Sequence, residues 1–169
     1  MTASESLLDA NTNENASQFL TFVLSDDQHG IYIKPVREII QYSLLTSVPL
    51  VSDFIAGVIN LRGNVVPVIN LASRLNLPEH EKTKRTCIVI LDLNIEGNII
   101  TMGFIVDKVL QVVDIPENNL KPRPQFGANI DSRFIDKMAD LDEIFIIILK
   151  VENLLTFEDI EALDQINAE

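Results

Sequence analysis

The segment that decides the fold spans residues 56–71 and reads Ala56-Gly57-Val58-Ile59-Asn60-Leu61-Arg62-Gly63-Asn64-Val65-Val66-Pro67-Val68-Ile69-Asn70-Leu71. Two apolar runs flank Arg62-Gly63-Asn64, whose Gly and Asn readily adopt the left-handed conformations that a tight hairpin requires. The pattern therefore predicts two strands joined by a turn, with the Arg62 side chain exposed and rigidly placed. A planar guanidinium there suits a carboxylate or backbone carbonyl of a partner. The other interpretation is a solvated turn arginine.

The same alternation of apolar runs and turn residues continues on both sides of this hairpin. Short runs rich in β-branched and aromatic residues alternate with turn formers, which is typical of barrels and sandwiches. The predicted strands are residues 19–24, 30–33, 36–42, 56–61, 65–70, 86–93, 99–106, 110–115 and 144–149. Because Pro67 has no N–H to donate, it places its strand at a sheet edge or a bulge. The sequence predicts a mainly β domain.

Helical signals are few. Residues 71–77 predict a short helix that stops before Pro78, with Leu71, Leu75 and Ala72 facing inward. Near the C-terminus, Thr156 and Asp159 have the spacing of a helix cap. The helix that they begin would carry its apolar residues on one face, namely Phe157, Ile160, Leu163 and Ile166. Residues 116–143 contain three prolines and little periodicity, so we expect them to be irregular.

Length and charge define three regions. A chain of 169 residues has the length of one domain, which we assign to residues 18–157. Residues 1–17 predict a flexible polar leader, and residues 158–169 a C-terminal helix and acidic tail. The formal net charge is −12, but residues 1–18 and 152–169 hold nine of the 25 acidic residues and no Lys or Arg. The remaining 16 acids against 13 bases leave the body nearly balanced. An acidic chain repels phosphate backbones, so we expect no nucleic-acid partner.

Residues that could carry catalysis or bind a cofactor are scarce. The two histidines, His29 and His80, lie in turn-like or polar stretches and are interpreted as solvated loop residues. Cys87 lies in an apolar strand without a second ligand nearby and is interpreted as a core residue. We find no nucleophile motif or phosphate-binding loop. The sequence therefore predicts no catalytic residue, no metal and no cofactor.

The expected cellular compartment follows from the membrane-span and secretory patterns that are not seen in the sequence. The longest apolar run, residues 144–149, is far shorter than the ~20 residues of a membrane span. No secretory signal is visible at the N-terminus, and a single cysteine cannot form an internal disulfide. We therefore expect a cytoplasmic protein without direct membrane insertion.

The sequence of the hairpin segment also resembles that of a known protein family. Gly57-Val58-Ile59-Asn60-Leu61-Arg62-Gly63, followed by Val66-Pro67-Val68-Ile69-Asn70-Leu71, resembles the signature of the CheW-like domains of bacterial chemotaxis. Flanking segments at residues 30–40 and 103–109 resemble that family in the same order. The chain departs from the family pattern at Lys137, where Gly is usual, and at Lys150, where the closing strand usually has Asp. The resemblance implies two small five-stranded β-barrels side by side, with short helices and a C-terminal helix.

The family resemblance further implies a non-enzymatic adaptor that couples transmembrane chemoreceptors to the histidine kinase CheA. Its expected partners are the CheA regulatory domain and the cytoplasmic tip of the receptors, and its expected location is cytoplasmic, at membrane receptor arrays. An adaptor of a chemotaxis-like system that controls pili or another output is the alternative. A protein of another class, a small β-barrel hydrolase or ligand-binding protein, is a further alternative.

The resemblance also implies which residues bind the kinase and the receptor, by their positions in the family's motifs. The expected kinase-binding residues are Val36, Glu38 and Gly57. Arg62 would contribute to receptor binding and kinase control, and four apolar residues would lie near the receptor groove, namely Ile88, Ile90, Ile105 and Val106. Since Val36 and Glu38 flank Arg37 on one strand, we expect them to point to the same side.

Overall fold

The computed structural model describes residues 16–49, 52–122, 130–156 and 159–161, and this part of the chain is mainly β, as predicted. Its strands are β1 (Ala16–Leu24), β2 (Asp27–Tyr32), β3 (Val36–Gln41), β4 (Ile55–Leu61), β5 (Asn64–Asn70), β6 (Cys87–Ile95), β7 (Asn98–Val106), β8 (Lys108–Pro116), β9 (Leu120–Pro122), β10 (Ile135–Leu141) and β11 (Ile144–Leu149). The short helix α1 spans Leu71–Arg74, residues 159–161 are also helical, and 3₁₀ turns span Glu117–Asn119, Ser132–Phe134 and Val151–Asn153.

The strands form two sheets. One has six strands in the order β8-β1-β2-β11-β10-β9, and the other has five in the order β3-β6-β7-β5-β4. The pairs β11–β2 and β5–β7 are parallel, and the other pairs are antiparallel. Neither ladder closes on itself. An isolated bridge between Thr46 and Val58 nevertheless joins the chain after β3 to β4, the opposite edge of the five-stranded sheet.

Alternation along the strands distributes the apolar side chains over three clusters. In β6, Ile88 and Ile90 pack within the five-stranded sheet, whereas Val89 and Leu91 face the central core between the sheets. The six-stranded sheet likewise encloses its own cluster, to which Phe19, Ile115, Ala139, Ile146 and Ile148 contribute. Each sheet therefore has a small apolar cluster of its own and contributes to a larger one that the two sheets share.

All nine predicted strands are present, but the irregular region predicted for residues 116–143 is wrong in part. It contains β9 and β10, which pair with each other, and β10 also pairs with β11. Within β10, Asp136, Lys137 and Asp140 break the apolar run, so the run was not recognisable as a strand. The predicted leader boundary also shifts, because β1 already begins at Ala16.

Pro67 does not lie on an edge strand, because β5 is flanked by β4 and β7. Its partner Val58 turns both of its backbone groups away from β5, toward Thr46. On the other side, the parallel ladder with β7 begins only at Val68. The missing N–H of Pro67 therefore faces a position where neither neighbouring strand offers a ladder hydrogen bond.

The helix signals were correct where the structure describes them. Leu71, Ala72 and Leu75 are buried, although α1 ends at Arg74. The Thr156 hydroxyl accepts from the Asp159 N–H at 3.1 Å, and the Thr156 N–H donates to the Asp159 carboxylate at 3.0 Å. This reciprocal pair is the capping arrangement that the spacing predicted. Ile160 packs against the central core. Phe157, Leu163 and Ile166 lie outside the described residues.

The histidines differ from each other. His80 is on the surface, with Nε2 3.2 Å from the Asp26 carboxylate. The prediction for His29 is wrong, because its side chain is only 1% exposed and stacks on Phe22. Burial lowers the pKa of His29, since its charged form would lose solvation. The tight turn that precedes it comprises Ser25 and Asp26, so His29 already belongs to the sheet.

Candidate functional site

The hairpin formed by β4 and β5 has the tight turn that the sequence predicts. β4 ends at Leu61 and β5 begins at Asn64, and the two residues between them, Arg62 and Gly63, have φ angles of +53° and +86°. Positive φ at both turn residues is the type I′ geometry that matches the twist of paired strands. The Gly63 N–H donates to the Asn60 side-chain oxygen at 3.0 Å, which fixes the turn.

Arg62 stands clear of the core, as predicted, and binds Glu38. Its two terminal nitrogens donate to both carboxylate oxygens, with Nη1–Oε2 at 2.5 Å and Nη2–Oε1 at 3.1 Å. Such two-pronged pairing fixes the plane of the guanidinium as well as its position. Glu38 lies on β3 and Arg62 at the end of β4, so the pair connects the two edge strands of the five-stranded sheet.

The ion pair remains accessible to a partner. The Arg62 side chain is 65% exposed and that of Glu38 is 21% exposed. Hydrogen bonds from Arg62 lower the pKa of Glu38, and the same bonds raise the pKa of Arg62. Glu38 and Arg62 were assigned to two different predicted contacts, and the structure brings them together as one charged unit. Nothing in their sequence spacing indicates this pairing.

Gly57, which lies five residues before Arg62 in the sequence, is buried in β4. Its φ is +154°, and a Cβ at this position would lie 2.4 Å from the Thr46 backbone oxygen. A register shift in the β4–β5 pairing falls between Ile55 and Gly57. Gly57 therefore allows the chain after β3 to approach β4, a backbone role that any side chain would prevent.

The prediction that Val36 and Glu38 share a side is wrong. The β3–β6 register shifts between them, so that Val36 pairs with Leu91 and Glu38 with Ile90. Directly paired residues face the same side of a sheet, and Leu91 belongs to the central core while Ile90 belongs to the core of the five-stranded sheet. The bulge at Arg37 thus places Val36 against the central core and Glu38 on the opposite face.

The apolar residues expected near a receptor groove are buried. Ile88, Ile90 and Val106 are 0% exposed, and Ile105 is 6% exposed. The first two and Ile105 fill the core of the five-stranded sheet, and Val106 belongs to the central core. Side chains enclosed in this way do not form a contact surface themselves, and their location near a receptor groove stays a prediction.

The structure also places exposed apolar residues at this end of the sheet, which the sequence did not indicate. Because β5 and β7 are parallel, the turn at residues 96–97 lies at the same end of the sheet as the turn at residues 62–63. Ile99 and Val65, next to these turns, are 65% and 38% exposed. Strand alternation alone marks every second residue as outward, and does not tell which outward residues cluster.

A second ion pair lies on the adjoining strands. Arg37 Nη1 is 3.7 Å from the Asp92 carboxylate, which also accepts a 2.6 Å hydrogen bond from the Thr101 hydroxyl. Toward this end of the sheet, the described residues therefore include two ion pairs as well as exposed apolar side chains. Such a mixture of charged groups around apolar contacts is typical of protein interfaces.

Two further findings concern the residues that the structure describes. Among them, no three His, Cys, Asp or Glu side chains are grouped so as to hold a metal ion. No helix in the described ranges is long and apolar enough to cross a membrane.

Comparison with known proteins gives consistent matches. The family model described as CheW-like domain matches residues 18–159. The chemotaxis protein CheW of Klebsiella aerogenes is 29% identical over 149 residues, covering 88% of this chain and 87% of that protein. CheW of Bacillus subtilis is 37% identical over 112 residues, covering 66% and 69% respectively. The crystal structure of the scaffolding protein TtCheW from Thermoanaerobacter tengcongensis superposes with a TM-score of 0.75 at 34% identity, covering 85% of this chain and 94% of that one.

Proposed function

The chain belongs to the CheW-like family, and we propose that it couples chemoreceptors to the histidine kinase CheA through the end of its five-stranded sheet. Its function is that of a chemotaxis scaffold adaptor, and the observation that carries this conclusion is the family match over residues 18–159. Adaptors of this family are not enzymes. Coupling requires only surfaces that bind two partners at once, so the relevant chemistry is recognition rather than catalysis.

We infer that the kinase-facing surface centres on Glu38 and Arg62. Both are accessible, and their bidentate pairing holds two opposite charges in a fixed orientation at one edge of the surface. The exposed Ile99 supplies apolar area at the same end of the five-stranded sheet. Val36 and Gly57 would support this surface from beneath, Val36 by packing against the central core and Gly57 by letting β4 approach the preceding chain.

For the receptor, we propose binding of its helical tip in a groove between the two sheets. Each sheet would then act as one small barrel. This proposal is supported by the separate apolar cluster within each sheet and by the Thr46–Val58 bridge between opposite edges of the five-stranded one. An amphipathic helix binds an apolar groove through residues spaced along one face. The buried isoleucines and Val106 would shape the groove wall rather than contact the helix. The complex would form in the cytoplasm, at receptor arrays.

Reconstitution tests the proposed coupling. Receptor-containing vesicles, CheA and this protein are mixed, and the rate of CheA autophosphorylation is measured with and without the protein. We expect activation that requires all three components, together with retention of the protein on an immobilised CheA regulatory domain. If the protein binds neither the regulatory domain nor the vesicles, the proposed coupling is wrong. Binding to the kinase without activation by receptors would instead indicate an adaptor for another type of receptor.

A further inference from the structure

A groove of about 610 Å³ opens at the β9 edge of the six-stranded sheet, on a different sheet from the ion pair described above. Three of the chain's seven lysines line it, namely Lys121, Lys137 and Lys150. Two acidic residues, Glu117 and Asp136, also line it, so the groove has an excess of positive charge. This excess is notable because the chain as a whole has a formal net charge of −12.

The fold brings the three lysines together from distant positions in the sequence. Lys121 lies on β9 and Lys137 on β10, where it pairs with Pro122. Lys150 directly follows β11, whose last residue, Leu149, pairs with Ile135 of β10.

None of these lysines forms an ion pair with any other residue in the described ranges. Lys121 donates to the Asn118 carbonyl at 3.4 Å, and Lys137 contacts the Tyr32 hydroxyl. With Glu117 and Asp136 in the lining, the three lysines leave the groove with an excess of one positive charge. A groove with an excess of ammonium groups fits an extended peptide that bears several carboxylates.

The chain itself carries such a peptide, which joins the described part of the chain at β1. Residues 1–15 contain Glu5, Asp9 and Glu14 and no Lys, Arg or His. They join β1 at Ala16, which pairs with Pro116, and the next residue, Glu117, lines the groove. Fifteen residues can span up to about 50 Å when extended, so the segment is long enough to reach all three lysines.

We propose that the lysine groove is a binding site for an acidic peptide and that residues 1–15 of this chain occupy it. The tether gives the segment an effective concentration on the order of millimolar, so a contact of low intrinsic affinity suffices. The attraction is electrostatic between groups close to solvent, and it weakens as salt screens the charges. This site is independent of the adaptor surface proposed above.

Lysine footprinting tests the proposal on the full chain. The protein is treated briefly with an acetylating reagent at low ionic strength, and modification at each lysine is quantified by mass spectrometry. The comparison variant is full-length Glu5→Gln/Asp9→Asn/Glu14→Gln, which keeps the length and removes the charge. We expect the variant to show at least a twofold faster modification of Lys121, Lys137 and Lys150. The exposed Lys34 and Lys84 serve as internal controls and should not change.

Salt and a second variant distinguish the possible outcomes. The difference between parent and variant should disappear at about 1 M salt, where the Debye length falls to ~3 Å. Equal modification rates at low salt would overturn the proposal. A change at the groove lysines only when Asp164 and Glu169 are neutralised would assign the groove to the C-terminal acids and likewise contradict it. A uniform change at all lysines would mean a general charge effect and no groove binding.

Discussion

Two hairpins at the same end of the five-stranded sheet have the same turn and different surroundings. The β4–β5 turn presents Arg62, and the β6–β7 turn presents Glu96. Both turns have two residues with positive φ, with glycine at +86° in each, and both are fixed by an asparagine side chain that accepts the glycine N–H, at 3.0 and 3.1 Å. Yet Arg62 is held by Glu38, whereas Glu96 makes no ion pair with any described residue.

The difference shows which level of structure creates the site. Both segments have the pattern Asn, apolar residue, charged residue, Gly, Asn, at residues 60–64 and 94–98, and this local pattern suffices for the turn. What differs is the position of the strands, because β6 and β7 lie inside the sheet whereas β4 forms its edge. The Thr46–Val58 bridge joins that edge to the chain after β3, and this local closure accompanies the pairing of Glu38 with Arg62, so the charged unit depends on topology rather than on the turn.

The largest expected effect concerns the glycine that permits this closure. Gly57→Ala should lower the free energy of unfolding by about 3–5 kcal/mol, because its Cβ would collide with the Thr46 backbone and its φ is unfavourable for alanine. Gly103→Ala in the other hairpin is the matched control. Its Cβ would meet side-chain methyl groups of Ile88 and Ile90 rather than backbone, and its φ is not in the left-handed region, so we expect a smaller loss of about 2 kcal/mol. Urea unfolding measures both, and equal losses would contradict the closure argument.

The second prediction compares the two tips in function. Arg62→Ala should weaken CheA binding or receptor-dependent kinase activation by about tenfold, the range expected for a central interface arginine. Glu96→Ala should change either property less than about twofold. Because both side chains are at the surface, each melting temperature should stay within about 2 °C of the parent. Equal functional losses for the two variants would mean that net charge at this end of the sheet matters, and not the Arg62–Glu38 unit.

The sequence predicted the local features and missed those that depend on distant strands. The exposed Arg62 and the Thr156 cap were predictable because each rests on residues within five positions of one another. The Arg62–Glu38 pair joins residues 24 positions apart on opposite sheet edges, and no local pattern encodes it. The burial of His29 and the separation of Val36 from Glu38 were missed for a related reason. A turn one residue earlier and a bulge of one residue each reverse the face of a strand.

The third prediction tests what the two hairpins share. Gly63→Ala and Gly97→Ala should each cost about 1 kcal/mol of unfolding free energy, since alanine is disfavoured at φ +86° although no atom lies within 4 Å of the added Cβ. The two losses should agree within ~0.5 kcal/mol, because the turns have the same geometry. A markedly larger loss at Gly63, measured in the same urea titrations, would show that the turn and the ion pair stabilise each other.

The smallest expected effect is a pH dependence confined to the Arg62 tip. Arg62 lowers the pKa of Glu38 in the folded state, so the stabilisation due to the pair is complete above the ordinary pKa of a glutamate. It is lost as the pH falls through the lowered pKa, because a protonated Glu38 no longer attracts the guanidinium. The stability difference between the parent and Arg62→Ala should therefore be small at neutral pH, since both groups are exposed, and should shrink toward zero in acid. NMR titration of the Glu38 carboxyl should show its midpoint moving to higher pH in Arg62→Ala, while Glu96→Ala leaves it in place. An unchanged midpoint in Arg62→Ala would mean that the bidentate pair is not populated in solution, and the distinction between the two hairpin tips would then have to come from their neighbouring apolar residues.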